Sequence, residues 1–259
     1  MKNFLSLFFV IFMALLKPVS AFSFDPTYSS WDEFLKKHVK AGLVDYEAIK
    51  KLPKDFETIV QKIEGVTSEE YQRWSTKEKM AFWINAYNIG AIKLVLEHYP
   101  LRRTIGLQAL RYPAESIQQI PDVWKRKVFN IMGKDASLNY IENNVLREEF
   151  KDPRIHFSIV CASQSCPALK EETYTSEKLE KQLDDQVRFF LSDKNKFQYE
   201  AKSDTLYLSP IFKWFQEDFE RAGGIASFIK KYVSPDLGLK ITDQSKKVWL
   251  DYDWNLNKQ

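Results

Sequence analysis

From Met80 to Leu96 the chain is apolar on nearly every face of a helix, and no other stretch constrains the fold as much. Met80, Phe82, Trp83, Ile84, Tyr87, Ile89, Ile92, Leu94, Val95 and Leu96 leave no polar stripe for water, so this helix belongs in the middle of a core. Ser75 and Glu78 read as a capping box at its start, and Pro100 stops it near His98, which complements the helix dipole. Asn85 and Asn88 sit three apart and therefore on one face. A buried amide costs about 1–3 kcal/mol unless it is bonded, so each needs a designated partner, either a loop carbonyl or a ligand. Both are candidate binding residues.

A second stretch carries the candidate chemistry. Residues 153–167 contain both cysteines of the chain, Cys161 and Cys166, and one of three histidines, His156. Ile155 to Cys161 is β-branched and apolar enough to read as a buried strand, followed by a small polar loop from Ala162 to Pro167. A thiol at the end of a core strand beside a histidine suits an activated nucleophile. Regular alternation, however, puts His156 and Cys161 on opposite faces, so a catalytic pair needs a bend or a bulge. Glu142 falls on the apolar stripe of a helix predicted from Ser137 to about Phe150, with Leu138, Ile141, Val145 and Leu146. A carboxylate on a buried face needs a partner, and Arg147, Arg154 and His156 are the candidates.

Residues 1–21 have the form of a secretory signal. Lys2 precedes an apolar run from Phe4 to Leu16, and Val19-Ser20-Ala21 supplies a small-residue cleavage point. That run is too short to span a bilayer, so the expectation is a secreted or periplasmic protein with no stable membrane insertion once the signal is removed. The mature chain, 22–259, then carries 36 Lys and Arg (after Lys2 and Lys17 are removed) against 35 Asp and Glu. So even a balance gives no reason to expect a nucleic acid partner. Two cysteines and three scattered histidines match no zinc spacing, so neither a metal nor another cofactor is expected. The expected partner is a small-molecule or peptide ligand. In an oxidising compartment Cys161 and Cys166 could also form one disulfide.

Elsewhere the pattern predicts short helices at Trp31–Val39, Tyr46–Leu52, Phe56–Ile63 and Glu69–Trp74, the last with a Thr67–Glu70 capping box. His38 reads as a solvated surface residue. Residues 101–124 read as a long loop packed by Tyr112 and Trp124. A strand at Lys127–Met132, a helix at Ser176–Leu191, a hairpin around Lys202-Ser203-Asp204, and two helices from Ile211 and Ile225 follow. Val248 to Trp254 alternates like a final strand. Helices in front, strands behind, no repeat and no linker argue for a single α+β domain, its buried central helix packed on a mainly antiparallel sheet.

Several segments together resemble the family called domain of unknown function 547. They are Phe-Trp-Ile-Asn-Ala-Tyr-Asn (82–88), Ile-Glu-Asn-Asn-Val-Leu-Arg (141–147), Asp-Pro-Arg-Ile-His-Phe-Ser-Ile-Val-Cys (152–161) and Cys166-Pro167. Tyr174, Ser-Pro-Ile-Phe-Lys-Trp-Phe (209–215), Asp218-Phe219 and Tyr-Asp-Trp-Asn-Leu-Asn (252–257) complete the set. The resemblance runs from about Trp31 to Asn257. It implies that the His-Phe pair and the first cysteine recur while the second is often replaced, which puts Cys161 ahead of Cys166. The family's name assigns no activity. The plan of a buried helix against a sheet looks similar to papain- or transglutaminase-type folds.

Two readings follow. In one, the chain is a cysteine-dependent hydrolase or acyl transferase acting on amide or peptide bonds, with Cys161, His156 and Glu142 catalytic. Asn85, Asn88, Arg154, Cys166 and Tyr174 then bind or orient. In the other, it is a non-catalytic envelope binding module with a Cys161–Cys166 disulfide and a core histidine. No Gly-x-Ser-x-Gly or His-Glu-x-x-His occurs to support other hydrolytic chemistry.

Overall fold

A computed structural model describes residues 24–259, and the expected signal peptide lies outside them. The front half is helical: α1 Ser29–His38, α2 Tyr46–Lys51, α3 Lys54–Glu64, α4 Ser68–Arg73 and the long α5 Thr76–His98. A small hairpin, β1 Val39–Lys40 with β2 Leu43–Val44, interrupts the first two. The short α6 Leu107–Arg111 lies in the expected loop. β3 Phe129–Ile131 and β4 Lys134–Ala136 form a second antiparallel hairpin. A π-helix, Tyr140–Phe150, and a 3₁₀ turn, Pro153–Phe157, lead to α7 Leu179–Ser192. β5 Phe197–Glu200 pairs antiparallel with β6 Thr205–Leu208, and α8 Ile211–Trp214, α9 Gln216–Arg221, α10 Ile225–Lys230 and α11 Pro235–Gly238 follow. β7 Lys246–Trp249 joins β6 in parallel.

The fold is mixed helix and sheet, with small and mostly antiparallel sheets, organised around α5. Every α5 residue from Met80 to Ile92 is buried, as an all-round apolar helix requires. Ser75 and Glu78 form the reciprocal capping box that their spacing predicts. Gly90 lets the helix approach the β3 hairpin: a Cβ there would lie 3.0 Å from side-chain atoms of both Val128 and Phe129. A second, aromatic core forms where Phe157, Phe190, Phe212, Phe219 and Phe228 meet. Phe157 stacks on Phe228 at 5.6 Å and so anchors the 3₁₀ turn in that core.

Four expectations change. His38 is buried, with its ring 4.7 Å from Phe34, because α1 turns that face inward. Thr67 caps α4, but the Glu70 carboxylate accepts from Phe24 N (3.2 Å) instead of closing the box. The last strand ends at Trp249, and Leu250 to Gln259 run on as a tail pinned to four other segments, at Leu208, Glu115, the 162–165 loop and Val44. The stretch 155–161 is not a strand. Among the described residues, no helix is long and apolar enough to cross a membrane.

Candidate functional site

The turn at 153–157 forms because Asp152 and Pro153 start a helix better than the apolar residues after them start a strand. The Asp152 carboxylate accepts from Arg154 N (2.9 Å), and Pro153 occupies the first helical position, where no N–H is needed. The expected strand neighbour of residues 158–160 is replaced by one side chain. Asn88 donates to Ser158 O (2.9 Å) and accepts from Val160 N (2.8 Å), so an amide on α5 does the pairing a β-ladder would do. Ile159 and Val160 are buried without being strand-paired. The alternation that separated His156 from Cys161 therefore does not apply.

After Val160 the chain turns tightly, with Ala162 at φ 58°, a left-handed conformation. The C-terminal tail holds this loop: Gln164 N donates to Asn255 O (2.8 Å), Ser165 N to Asp253 O (3.1 Å), and Asn257 N to Ala162 O (3.2 Å). The same tail brings the Tyr252 hydroxyl to 3.2 Å from Cys161 Sγ, with Ser163 Oγ also at 3.2 Å and Cys166 Sγ at 2.7 Å. Cys161 is half-buried, Cys166 is buried, and both are free thiols. Burial alone would raise the Cys161 pKa, but hydrogen bonds from Cys166, Ser163 and Tyr252 favour the thiolate and hold it at about 7. Burial and the neighbouring Cys161 push Cys166 well above the ordinary thiol range.

His156 Nε2 lies 2.7 Å from Asp218 Oδ2. Arg147 bonds both oxygens of that carboxylate, Nε at 2.6 Å and a terminal nitrogen at 3.1 Å, and Arg221 closes on it as well. Burial opposes the charge on Asp218, but His156 and Arg147 outweigh it and hold the carboxyl well below its usual range. Burial lowers the His156 pKa, so the ring is neutral at pH 7. An ionised Asp218 can only accept, so the proton sits on Nε2 and Nδ1 is left as a free base. Nδ1 is buried and has no partner among the described residues, and the ring stacks 3.8 Å from Phe215.

Glu142 projects from the π-helix, a wide-turned class of helix frequent at functional sites. Its carboxylate accepts one long bond, 3.3 Å, from Tyr87 OH. Burial and the nearby Cys161 raise its pKa to about 7. The partners expected for Glu142 are engaged elsewhere: Arg147 and His156 with Asp218, and Arg154 with Asp152, Glu180 and Asp184 at 2.6–2.9 Å.

Cys161, Cys166, His156 and Glu142 line one cavity of about 160 Å³, walled by Tyr87, Trp124, Trp214, Phe215, Tyr252 and Trp254. Asn85, Asn88, Arg154 and Tyr174 do not line it. Asn85 donates to Tyr174 O (2.8 Å) and accepts from Tyr174 N (3.1 Å), so both amides on α5 tie down loop backbone. Asp218 and Tyr252 bond His156 and Cys161 although composition and spacing gave them no role. Asp218 did carry a readable signal: like Glu142, it is an acid among large apolar residues, here Phe215 and Phe219. Nothing local marks Tyr252, which lies 91 positions from Cys161. Among the described residues, no group of three or more His, Cys, Asp or Glu is placed to hold a metal ion.

Residues 71–191 match the family model described as "Protein of unknown function, DUF547". That span includes Tyr87, Glu142, His156 and both cysteines and ends before Asp218 and Tyr252. No curated protein matches the chain, and no solved structure does.

Proposed function

We propose that this chain, whose residues 71–191 belong to the domain of unknown function 547 family, is an exported cysteine-dependent hydrolase or acyl transferase acting on amide or peptide bonds. The observation that carries the reading is that a thiol and a buried imidazole nitrogen, the latter without a partner among the described residues, stand on the walls of one cavity. Cys161 is the nucleophile, His156 the base, and Asp218 the group that fixes the histidine's tautomer. Ser163 and Tyr252 supply hydroxyl bonds that favour the thiolate.

His156 Nδ1 takes the Cys161 thiol proton, and the thiolate sulfur attacks the amide carbonyl carbon. The tetrahedral intermediate collapses, the C–N bond breaks, and the leaving amine takes the proton from His156, which leaves a thioester on Cys161. Water, or a second amine, then gives a proton to His156 and attacks the thioester carbonyl. The C–S bond breaks and Cys161 is reprotonated. Asp218 stays ionised throughout, because Arg147 and Arg221 hold its charge.

The test is labelling of the mature protein with an electrophilic thiol probe at neutral pH. One label at Cys161 is expected, lost in Cys161→Ala and slowed about 100-fold or more in His156→Ala. The alternative, a non-catalytic envelope binding module with a Cys161–Cys166 disulfide, draws on the adjacency of the two sulfurs. Intact mass before and after mild reductant separates the two. A bridge that survives the reductant removes the nucleophile.

A further inference from the structure

The cavity has an unusual set of walls for a thiol site. Among the described residues, six aromatics line it, and its remaining polar groups are the two thiols, His156 and Glu142, with no Lys or Arg. Trp214, Tyr252 and Trp254 form a continuous cluster, with ring centroids 4.7–5.9 Å apart. Trp214 is half exposed, so this cluster is open to solvent at its outer end. Glu142 is under-bonded: Oε2 accepts a single 3.3 Å bond from Tyr87, and among the described residues Oε1 accepts none.

Each ligand class meets these walls differently. A carboxylate or phosphate would face Glu142 across walls that carry no cation, since Arg147, the guanidinium that acts on Glu142, is bound to Asp218. A purely apolar group would leave the carboxyl buried and unpaired, which costs free energy. A cation gains from both features, because ring faces attract positive charge and Glu142 supplies a counter-charge. At about 160 Å³ the cavity holds roughly five waters at ~30 Å³ each, enough for the chain and nitrogen of a butylammonium group.

We propose that this cavity is a subsite for a primary ammonium on a short alkyl chain, so that the substrate is a peptide or amide bearing a lysine-type residue. Calling the ligand a substrate rests on the thiol-enzyme reading, but the binding claim is tested apart from it. Tyr87 from α5 bonds Glu142, and Cys161 from the loop, Arg147 from its own helix and Asp218 from α9 act on its charge, while His156, Cys166 and Tyr252 share the cavity wall with it. Binding of a cation favours ionised Glu142. Affinity therefore falls as the pH is lowered and the carboxyl takes up its proton.

The experiment uses the mature protein carrying Cys161→Ser, so that binding is read without chemistry. Nα-acetyl-lysine methylamide and Nα-acetyl-norleucine methylamide, which differ by the ammonium, are titrated by calorimetry. At pH 8 the lysine compound is expected to bind about tenfold tighter or better, with that preference shrinking toward pH 5. Glu142→Gln is expected to abolish the preference. Trp214→Ala, at a half-exposed position, is expected to reduce it several-fold and decides the matter if Glu142→Gln does not fold. Equal or tighter binding of the norleucine compound overturns the proposal, as does a preference that both variants leave intact. A lysine preference in a protein whose wild-type Cys161 resists the thiol probe overturns the enzyme reading alone. Labelling without any preference overturns the subsite alone.

Discussion

At the scale of single residues, the site depends on how many hydrogen bonds reach one sulfur. Ser163, Tyr252 and Cys166 surround Cys161, and together they outweigh the desolvation that would otherwise keep it a thiol. The Cys161 pKa is lowered, so the reactive thiolate is present above about pH 7 and is lost as the pH falls through that value. Iodoacetamide alkylation at Cys161, followed by peptide mass, is expected to show a midpoint near pH 7, while Cys166 reacts only at much higher pH. Tyr252→Phe removes one donor and is expected to raise the Cys161 midpoint by about one pH unit. An unchanged midpoint would mean that the Tyr252 hydroxyl does not bond the thiolate. His156 follows a similar logic. Its protonation pattern is dictated by Asp218, whose charge is held by two arginines.

At the scale of elements, α5 is both the core of the fold and the scaffold of the site. Its apolar faces explain why it is buried, and its two asparagines explain how the surrounding loops keep one conformation. Asn88 bonds Ser158 O and Val160 N, the two backbone groups that lead into Cys161. Asn88→Ala leaves both buried and unpaired, so a loss of about 2–4 kcal/mol in denaturant-unfolding stability is expected. Asn88→Asp keeps the acceptor for Val160 N but sets a buried carboxylate oxygen against Ser158 O, so its cost is expected to be at least as large. The π-helix and the 3₁₀ turn contribute in the same way. Each sets the direction of one side chain, Glu142 and His156 respectively, and packs its neighbours away in a core.

At the scale of the whole molecule, the C-terminal tail joins parts that are far apart in the chain. It bonds the 162–165 loop, reaches Val44 of β2 through Asn257 and Gln259, and places Tyr252 and Trp254 on the cavity. Ending the chain at Leu250 removes all of these contacts. The thermal midpoint is expected to fall by about 5 °C or more, and thiol labelling at neutral pH to be lost. Lys258→Ala, which removes only an exposed ion pair with Glu115, is the control and is expected to change neither. The two cores meet at the 3₁₀ turn, where Ile155 packs with the α5 cluster and Phe157 with the aromatic one. His156 sits between them.

Much of this is written locally in the chain. The all-round apolar run of α5, its capping box, the need to partner Asn85, Asn88 and Glu142, and the position of the thiols beside a histidine all follow from neighbours a few residues apart. Periodicity reports burial, and burial is what those patterns encode. It does not report which group supplies the hydrogen bond. Residues 155–161 are apolar enough for a strand, yet their backbone partner is a side chain about 70 residues earlier, so they turn instead of extending. Asp218 reaches His156 across 62 positions and Tyr252 reaches Cys161 across 91, and no local pattern announces either pairing. The chain alone determined a buried central helix and the stretch that holds its two thiols and His156. Tertiary structure decided which polar atoms face one another. That choice sets the charge on Asp218, the tautomer of His156 and the proton on Cys161, because electrostatic and hydrogen-bond energies depend on distance in space and not on distance along the chain.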